Sequence, residues 1–407
     1  MPTRYELREL SQEIADHQMA LVRLGEAWGQ RIVDHLTDSD KLTLAYIREE
    51  LQDLKLNLNT AKAEQKLDSI RTRISKIRMK AFVAAEKELR AEAPELIDNE
   101  SKWSKHLLAE LQGEEITAFK DITEAKAQRI LSHSVQINKT WDQWWTNTAA
   151  ADVDRIANIV CGGLTQGMTI DQMIQLIGGT KAANYTDGVL TTTRSHARNL
   201  ARTLSCGIAN QAKDAFYREN DDVVIGVEWL STLDGRTCRT CGGLDRKRYK
   251  PDEPHPVPPA HPSCRCVLIP VTELTDLGED VGRSRANADF DAEAKRMYEE
   301  KYPDKNYDDL AYSTRQKYYY DAIKRYEEET GKPAFTFGNG SMSFSEYFEK
   351  MDAQQKRDYL GPGAYAIYKR GNLDTSKFIP PYPNRAYTVA ELRRMDEIAA
   401  ARRTQNH

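Results

Sequence analysis

Proline is nearly missing from the first 250 residues: of the 15 in the chain, only Pro2 and Pro94 precede Pro251. Proline breaks helix interiors, so that part of the chain is free to be largely helical. Long apolar runs are missing as well. No stretch approaches the roughly 18 residues of a membrane helix, and the charged start Met1-Pro2-Thr3-Arg4-Tyr5-Glu6-Leu7-Arg8 lacks the form of a signal peptide. Neither a membrane span nor a membrane partner is expected. Nor does charge of one sign dominate: 58 Lys and Arg against 62 Asp and Glu leave a net of -4, which excludes a histone-like polycation and confines any nucleic-acid contact to local patches. The eight histidines are dispersed except for His255 and His261, and there is neither a Gly-rich phosphate loop nor a nucleophile-elbow serine. No enzymatic activity is expected.

What is present in the amino-terminal part is helical patterning. Leu67, Ile70, Ile74, Ile77, Ala81 and Ala84 step by three and four, predicting one apolar seam on a long helix. Arg71, Arg73, Lys76, Arg78 and Lys80 share that helix and are expected on its solvated face. Trp141, Trp144 and Trp145 stand at helical spacing, as helix–helix core or as a partner-facing anchor. Further on, a helix through Val153 and Val160 should stop at Gly162-Gly163, and Thr169-Ile170-Asp171-Gln172 has capping-box form before a stop at Gly178-Gly179. A longer helix is expected over 191–220, carrying Cys206 as an ordinary buried thiol. Residues 223–230 and 267–271 switch to β-branched and aromatic types and predict two strands bracketing a loop.

That loop holds seven prolines between Pro251 and Pro270 and four of the six cysteines. Cys238-Arg239-Thr240-Cys241 offers two thiolates, and His261-Pro262-Ser263-Cys264-Arg265-Cys266 an imidazole and two more. A Cys-x-x-Cys knuckle and a second close-set pair across a loop are the donors of tetrahedral zinc. Structural zinc bound by four of Cys238, Cys241, His261, Cys264 and Cys266 is therefore the leading reading, with His255 a weaker further candidate. Disulfides among the same cysteines remain the alternative. A metal would tie together the ends of a loop that has no core of its own. Arg236, Arg239, Arg246, Lys247, Arg248 and Lys250 oppose Asp245 alone over residues 236–250, a net of +5 that could meet DNA phosphates, acidic protein or solvent.

The run from Trp229-Leu230-Ser231-Thr232-Leu233-Asp234-Gly235-Arg236-Thr237-Cys238 through Cys241-Gly242-Gly243-Leu244-Asp245, followed by Pro259-Ala260-His261-Pro262-Ser263-Cys264-Arg265-Cys266-Val267-Leu268-Ile269-Pro270, closely resembles the phage Mu F-like minor head protein family. Flanking features agree, among them the helix through Arg194, Ala201, Arg202, Thr203 and Asn210. Relatives often carry glycine after the Leu-Asp of the first motif, where this chain has Arg246. Phe344 to Phe348 and Tyr359 to Leu373 are similar to a carboxy-terminal segment of many such proteins. The resemblance implies a low-copy head morphogenesis protein of a tailed phage, in the procapsid or virion interior near the portal and in the host cytoplasm during assembly. It implies the portal protein as partner, with the major capsid or scaffolding protein and non-specifically held phage DNA as further expectations.

The expected fold is mainly α with a small β element. It divides into a helical region at 1–150 for partner docking, an α+β domain at 151–280 with a zinc-stapled loop, a charged tyrosine-rich helical connector at 281–330 and an α-rich tail at 331–407. Two other readings stand beside it: a zinc-stabilised nucleic-acid-binding module outside the virion, and a virion-delivered effector with its activity in the tail.

Overall fold

The computed structural model describes residues 4–52, 61–112, 119–133, 137–273, 283–310, 312–332, 334–338, 342–381 and 385–405. Two long helices, α1 (Arg4–Gln52) and α2 (Ala61–Gln112), form an antiparallel hairpin against α4 (Trp141–Thr165) and α6 (Val189–Glu219), with α3 (Glu124–His133) and α5 (Ile170–Gly178) filling the flanks. Among the described residues no helix is long and apolar enough to cross a membrane. The principal core draws Trp28, Ile32 and Leu36 from α1, Phe82 and Leu89 from α2, Trp141 and Trp145 from α4, and Leu200, Leu204 and Ile208 from α6. It runs across residue 150 without a break. Each such side chain contributes about 1.5–3 kcal/mol by burial, so the amino-terminal helices and α6 stabilise one another.

Two expectations change here. The α2 seam follows Ile70, Ile74 and Ala81, but Ala84 is exposed and Phe82, Ala85 and Leu89 are buried in its stead. A strict three-four alternation drifts around a straight helix, and the buried stripe keeps the 3.6-residue period. Arg78 is not on the solvated face. It is fully buried, with its guanidinium 2.5 Å from Asp40 on α1 and 2.6 Å from Asp152 on α4. As for the tryptophans, Trp141 and Trp145 are core, and Trp141 donates to Glu86 at 3.1 Å. Trp144 is half-buried under the Lys139 ammonium, 4.5 Å from the ring centre.

Gly162-Gly163 does not stop α4, which continues to Thr165. A Cβ on Gly163 would lie 2.6 Å from Met173, so this glycine lets α5 approach. The capping box at Thr169 forms as its sequence requires.

The predicted strands appear as β1 (Gly226–Leu230) and β3 (Val267–Val271), antiparallel, with Trp229 opposite Leu268, while β2 (Arg248–Tyr249) pairs along the other edge of β1. Leu230, Val267 and Ile269 pack on Leu10, Ile14, Leu107 and Leu111 of the hairpin, which seats the sheet on α1 and α2. The outer edge of β3 is clasped by Asn210 of α6. Its amide oxygen accepts from Leu268 N at 2.9 Å and its nitrogen donates to the Cys266 carbonyl at 3.3 Å.

The connector is folded: β4 (Arg283–Ala286) pairs with β5 (Phe335–Gly338), and α8 (Phe290–Lys301) packs on α9 (Tyr312–Thr330) around Phe290, Tyr298, Tyr307 and Tyr319. The tail comprises α10 (Phe344–Lys350), α11 (Ala353–Leu360), α12 (Pro362–Tyr368) and α13 (Val389–Gln405) about a core of Phe344, Phe348, Leu360, Ile367, Phe378 and Leu392. Leu233, from the segment after β1, completes that core, so tail and cysteine loop are packed together.

Candidate metal centre

The short helix α7 (Arg239–Leu244) begins at the cysteine knuckle. Cys238 is its N-cap, with Sγ accepting from Cys241 N at 3.4 Å, which brings both sulfurs to the helix start. The return arm into β3 delivers the other donors. His261 Nε2 lies 3.2 Å from Cys241 Sγ, and Cys264 Sγ lies 3.7 Å from it. Two overlapping groups result, Cys238 with Cys241 and His261, and Cys241 with Cys264 and Cys266, each with donor atoms within 4.8 Å of one another. Cys241 belongs to both. All five expected donors are thus brought together, and no two cysteines are bonded as a disulfide.

The spacing suits a metal. With metal–sulfur bonds of about 2.3 Å, the edge of a tetrahedron is about 3.8 Å, close to the Cys241–Cys264 separation. Electrostatics point the same way. Burial would lower the His261 pKa, yet the Cys238 and Cys264 thiolates raise it to about 11. The hydrogen bond from Cys241, helped by His261, lowers Cys238 to about 4 against the effect of burial. Burial disfavours the Cys264 thiolate too, but hydrogen bonds from Cys206 and the neighbouring thiols hold its pKa well below the usual range. Cys241 is pushed up by its sulfur neighbours and by burial, and Cys266 by burial and by Cys264. So many thiols in one dry spot cannot all ionise without a compensating cation. The cluster could hold a metal ion.

His255 is not part of it. Its Nε2 lies 2.9 Å from Asp214 and its ring stacks on Tyr249, at the far end of α6.

The residues that position the donors were harder to see in the sequence. Ser263, in the left-handed conformation, donates through its N–H to Thr203 at 3.2 Å and through its hydroxyl to Asn199 at 3.0 Å, pinning the return arm to α6. Ser231 donates to the Cys241 carbonyl at 2.9 Å and sits 3.4 Å from Cys266 Sγ. Cys206 also adjoins the cluster, 3.8 Å from the Cys266 carbonyl. Small polar residues at these spacings carry no motif of their own, and their role shows only once α6 lies under the loop.

The basic stretch does not stand free. Arg246 and Arg248 each reach the buried Glu228 carboxylate at 2.7 Å, and Arg239 donates to the Leu360 carbonyl at 2.7 Å. Arg236 lies over Tyr319, 3.8 Å from the ring centre, and Lys250 sits 3.6 Å from Glu253, while Lys247 is half-buried. Arg246 holds φ at +62°, the backbone conformation for which glycine is the easy choice; its ion pair to Glu228 offsets a strain of about 1 kcal/mol.

On its other side α7 is covered by the tail. A Cβ on Gly243 would stand 2.0 Å from the Pro380 carbonyl oxygen, and one on Gly242 would stand 2.6 Å from the Phe344 ring. Asp245 accepts from Phe344 N at 2.7 Å and from Ser231 N at 3.0 Å, linking tail, helix and sheet. Replacing Gly243 by valine should therefore undock the tail while sparing the donors. The expected outcome is rapid protease cutting within 342–381 at unchanged metal content. Protection equal to that of the parent chain would show that Pro380 can give way.

Residues 154–269, from the middle of α4 to β3, match the family described as Phage Mu protein F like protein. No curated protein and no solved structure matches the chain. The matched span contains all five donors, the α6 residues that pin the return arm and the central strand of the sheet, and over this span the chain is similar to that family.

Proposed function

We propose that the chain is a minor head protein of a tailed phage, present in few copies, that joins the portal vertex during procapsid assembly and holds one structural zinc ion. The observation that carries this reading is the family match over the segment that contains the whole donor cluster. Zinc suits the donor set: four cysteines and one histidine, mostly buried, are soft ligands for a closed tetrahedral site. Cys238, Cys241 and Cys264, with His261 or Cys266, would hold it. The metal's contribution is to bind the two arms of the proline loop. An enzymatic role is not part of the proposal. The cavity beside the donors is only about 50 Å³, bounded by α1, α6, α9 and the cysteine arms, and admits a few waters, each needing roughly 10–15 Å³ of such space.

A groove-reading zinc module is disfavoured, since α7, the helix beside the cluster, has only six residues and is buried from Cys241 to Leu244, its two glycines packed against the tail. DNA contact, where it occurs, is non-specific and rests on Lys247 and Lys250, the guanidinium groups of Arg236, Arg239, Arg246 and Arg248 being turned to protein. The test is to isolate procapsids, cross-link them and identify the chain's partners, with elemental analysis of protein purified under reducing conditions without chelators. Cross-links to the portal and about one zinc per chain are the expected results. A chain absent from procapsids overturns the assembly role, and a metal-free chain overturns the zinc.

A further inference from the structure

The α1–α2 hairpin has one face against α4 and α6. Its other face is an open groove of about 710 Å³ between residues 31–42 of α1 and 73–88 of α2. The floor is largely apolar: Ile77, Ala81, Ala84 and Leu42, the last 61% exposed. Acidic groups along the groove are already answered within the hairpin. Glu88 lies 2.7 Å from His35 and 3.5 Å from Arg31, Asp38 lies 3.2 Å from Lys41, and Asp34 accepts from Gln30 at 2.8 Å. Along the α2 rim the opposite holds. Arg73, Lys76 and Lys80 are exposed and enter none of the ion pairs formed among the described residues, in contrast to Arg71, paired with Asp154, and the buried Arg78. Their spacing of three and four residues sets the cations in one row about 10.5 Å long at the helical rise of about 1.5 Å per residue.

We propose that this groove is the docking site for an acidic amphipathic helix of another head protein, an inference that rests on the assembly role proposed above. An apolar stripe on that helix would cover Leu42, Ile77 and Ala84, and carboxylates at matching three- and four-residue steps would meet Arg73, Lys76 and Lys80. The arrangement adds a third helix to an existing pair, at the usual interaxial distance of roughly 8–10 Å. An apolar floor favours this occupant over nucleic acid, because phosphates gain nothing from it whereas leucine-type side chains do.

Two measurements test the proposal on the full chain. In the first, the probe is a labelled 18-residue peptide of Leu, Ala and Glu, patterned as an amphipathic helix with glutamates along one flank. Scrambled peptide of the same composition and a 20-base-pair DNA duplex serve as controls. The patterned peptide is expected to bind most tightly at about 0.15 M salt. The triple change Arg73→Glu, Lys76→Glu and Lys80→Glu should weaken it about tenfold or more, since three weak attractions become three repulsions. Leu42→Glu should weaken it also, with an unchanged melting temperature for both variants. Tighter binding of the duplex, equal binding of the scrambled peptide, or indifference to the triple change overturns the groove as a helix site.

The second measurement places a photoreactive amino acid at position 76 and assembles heads. A cross-link to an acidic helical segment of a head protein supports the proposal. If the chain enters heads and the triple variant enters equally well, the groove is overturned and the assembly role stands. If the parent chain is absent from heads, the assembly role falls, and with it the head-protein identity of the occupant.

Discussion

Replacing Cys241 by serine should empty the metal centre and loosen the tail in a single step. Cys241 is the one donor common to both ligand groups, so neither group keeps three sulfur or nitrogen donors without it. Its helix also carries Gly242 and Gly243, on which Phe344 and Pro380 rest. Structural zinc contributes on the order of 10–16 kcal/mol to small metal-dependent folds at neutral pH. Even a modest share of that exceeds what the few contacts between α7 and the tail could replace. The expected result is zinc falling from about one per chain to none, with protease cutting in 231–266 and in 342–381. The helical signal should persist, because the core shared by α1, α2, α4 and α6 does not draw on the loop. A Cys241→Ser chain whose tail stays protected would mean that the tail holds α7 in place, and not the reverse.

The second large effect is expected at Arg78. Its guanidinium is fully buried between Asp40 and Asp152, and each carboxylate has one further partner: Arg194 at 2.6 Å from Asp40, and the Thr193 hydroxyl on Asp152. Removing one partner of a buried charge group leaves the others uncompensated, at a cost of about 3–5 kcal/mol. Arg78→Met should lower the urea midpoint accordingly. The loss should shrink between pH 7 and pH 5. Burial already raises the Asp40 pKa against the pull of Arg78 and Arg194, and without Arg78 its folded-state value rises further. A carboxylate with a raised folded-state pKa costs stability as pH rises, so acidification relieves the variant. Changing Asp152 to Leu together with Arg78→Met should recover part of the stability. A loss below about 1 kcal/mol at pH 7 would show that solvent reaches this site.

The elements with strong local chemistry could be read from the sequence. The strands, the capping box at Thr169 and the convergence of five donors all follow from short-range patterns. The features that escaped depend on distant segments. Arg78 stands four residues from both Ile74 and Phe82, on the stripe that α2 buries, but the Asp40 and Asp152 that let a charged group lie there are 38 and 74 residues away. The +5 stretch looked like a free patch because Glu228 and Leu360 lie outside it. His255 stood near His261 in the chain, yet the proline loop carries it to Asp214. Arg246 is the intermediate case: the resemblance expects glycine there, and the structure shows why, with φ at +62°.

The clasp that Asn210 places on β3 bears on how the protein behaves when many copies are crowded together. A bare strand edge is a template on which a second chain can add, and the growth of such ladders is unlimited. Along this edge the N–H of Leu268 and the carbonyl of Cys266 are occupied, and Pro270 offers no N–H at all. At these positions the β3 edge is therefore closed to recruitment. Asn210→Leu would reopen two bonding groups on a flat apolar strand, so that variant should form fibrils or insoluble aggregate as its concentration rises, at temperatures where the parent chain remains dispersed.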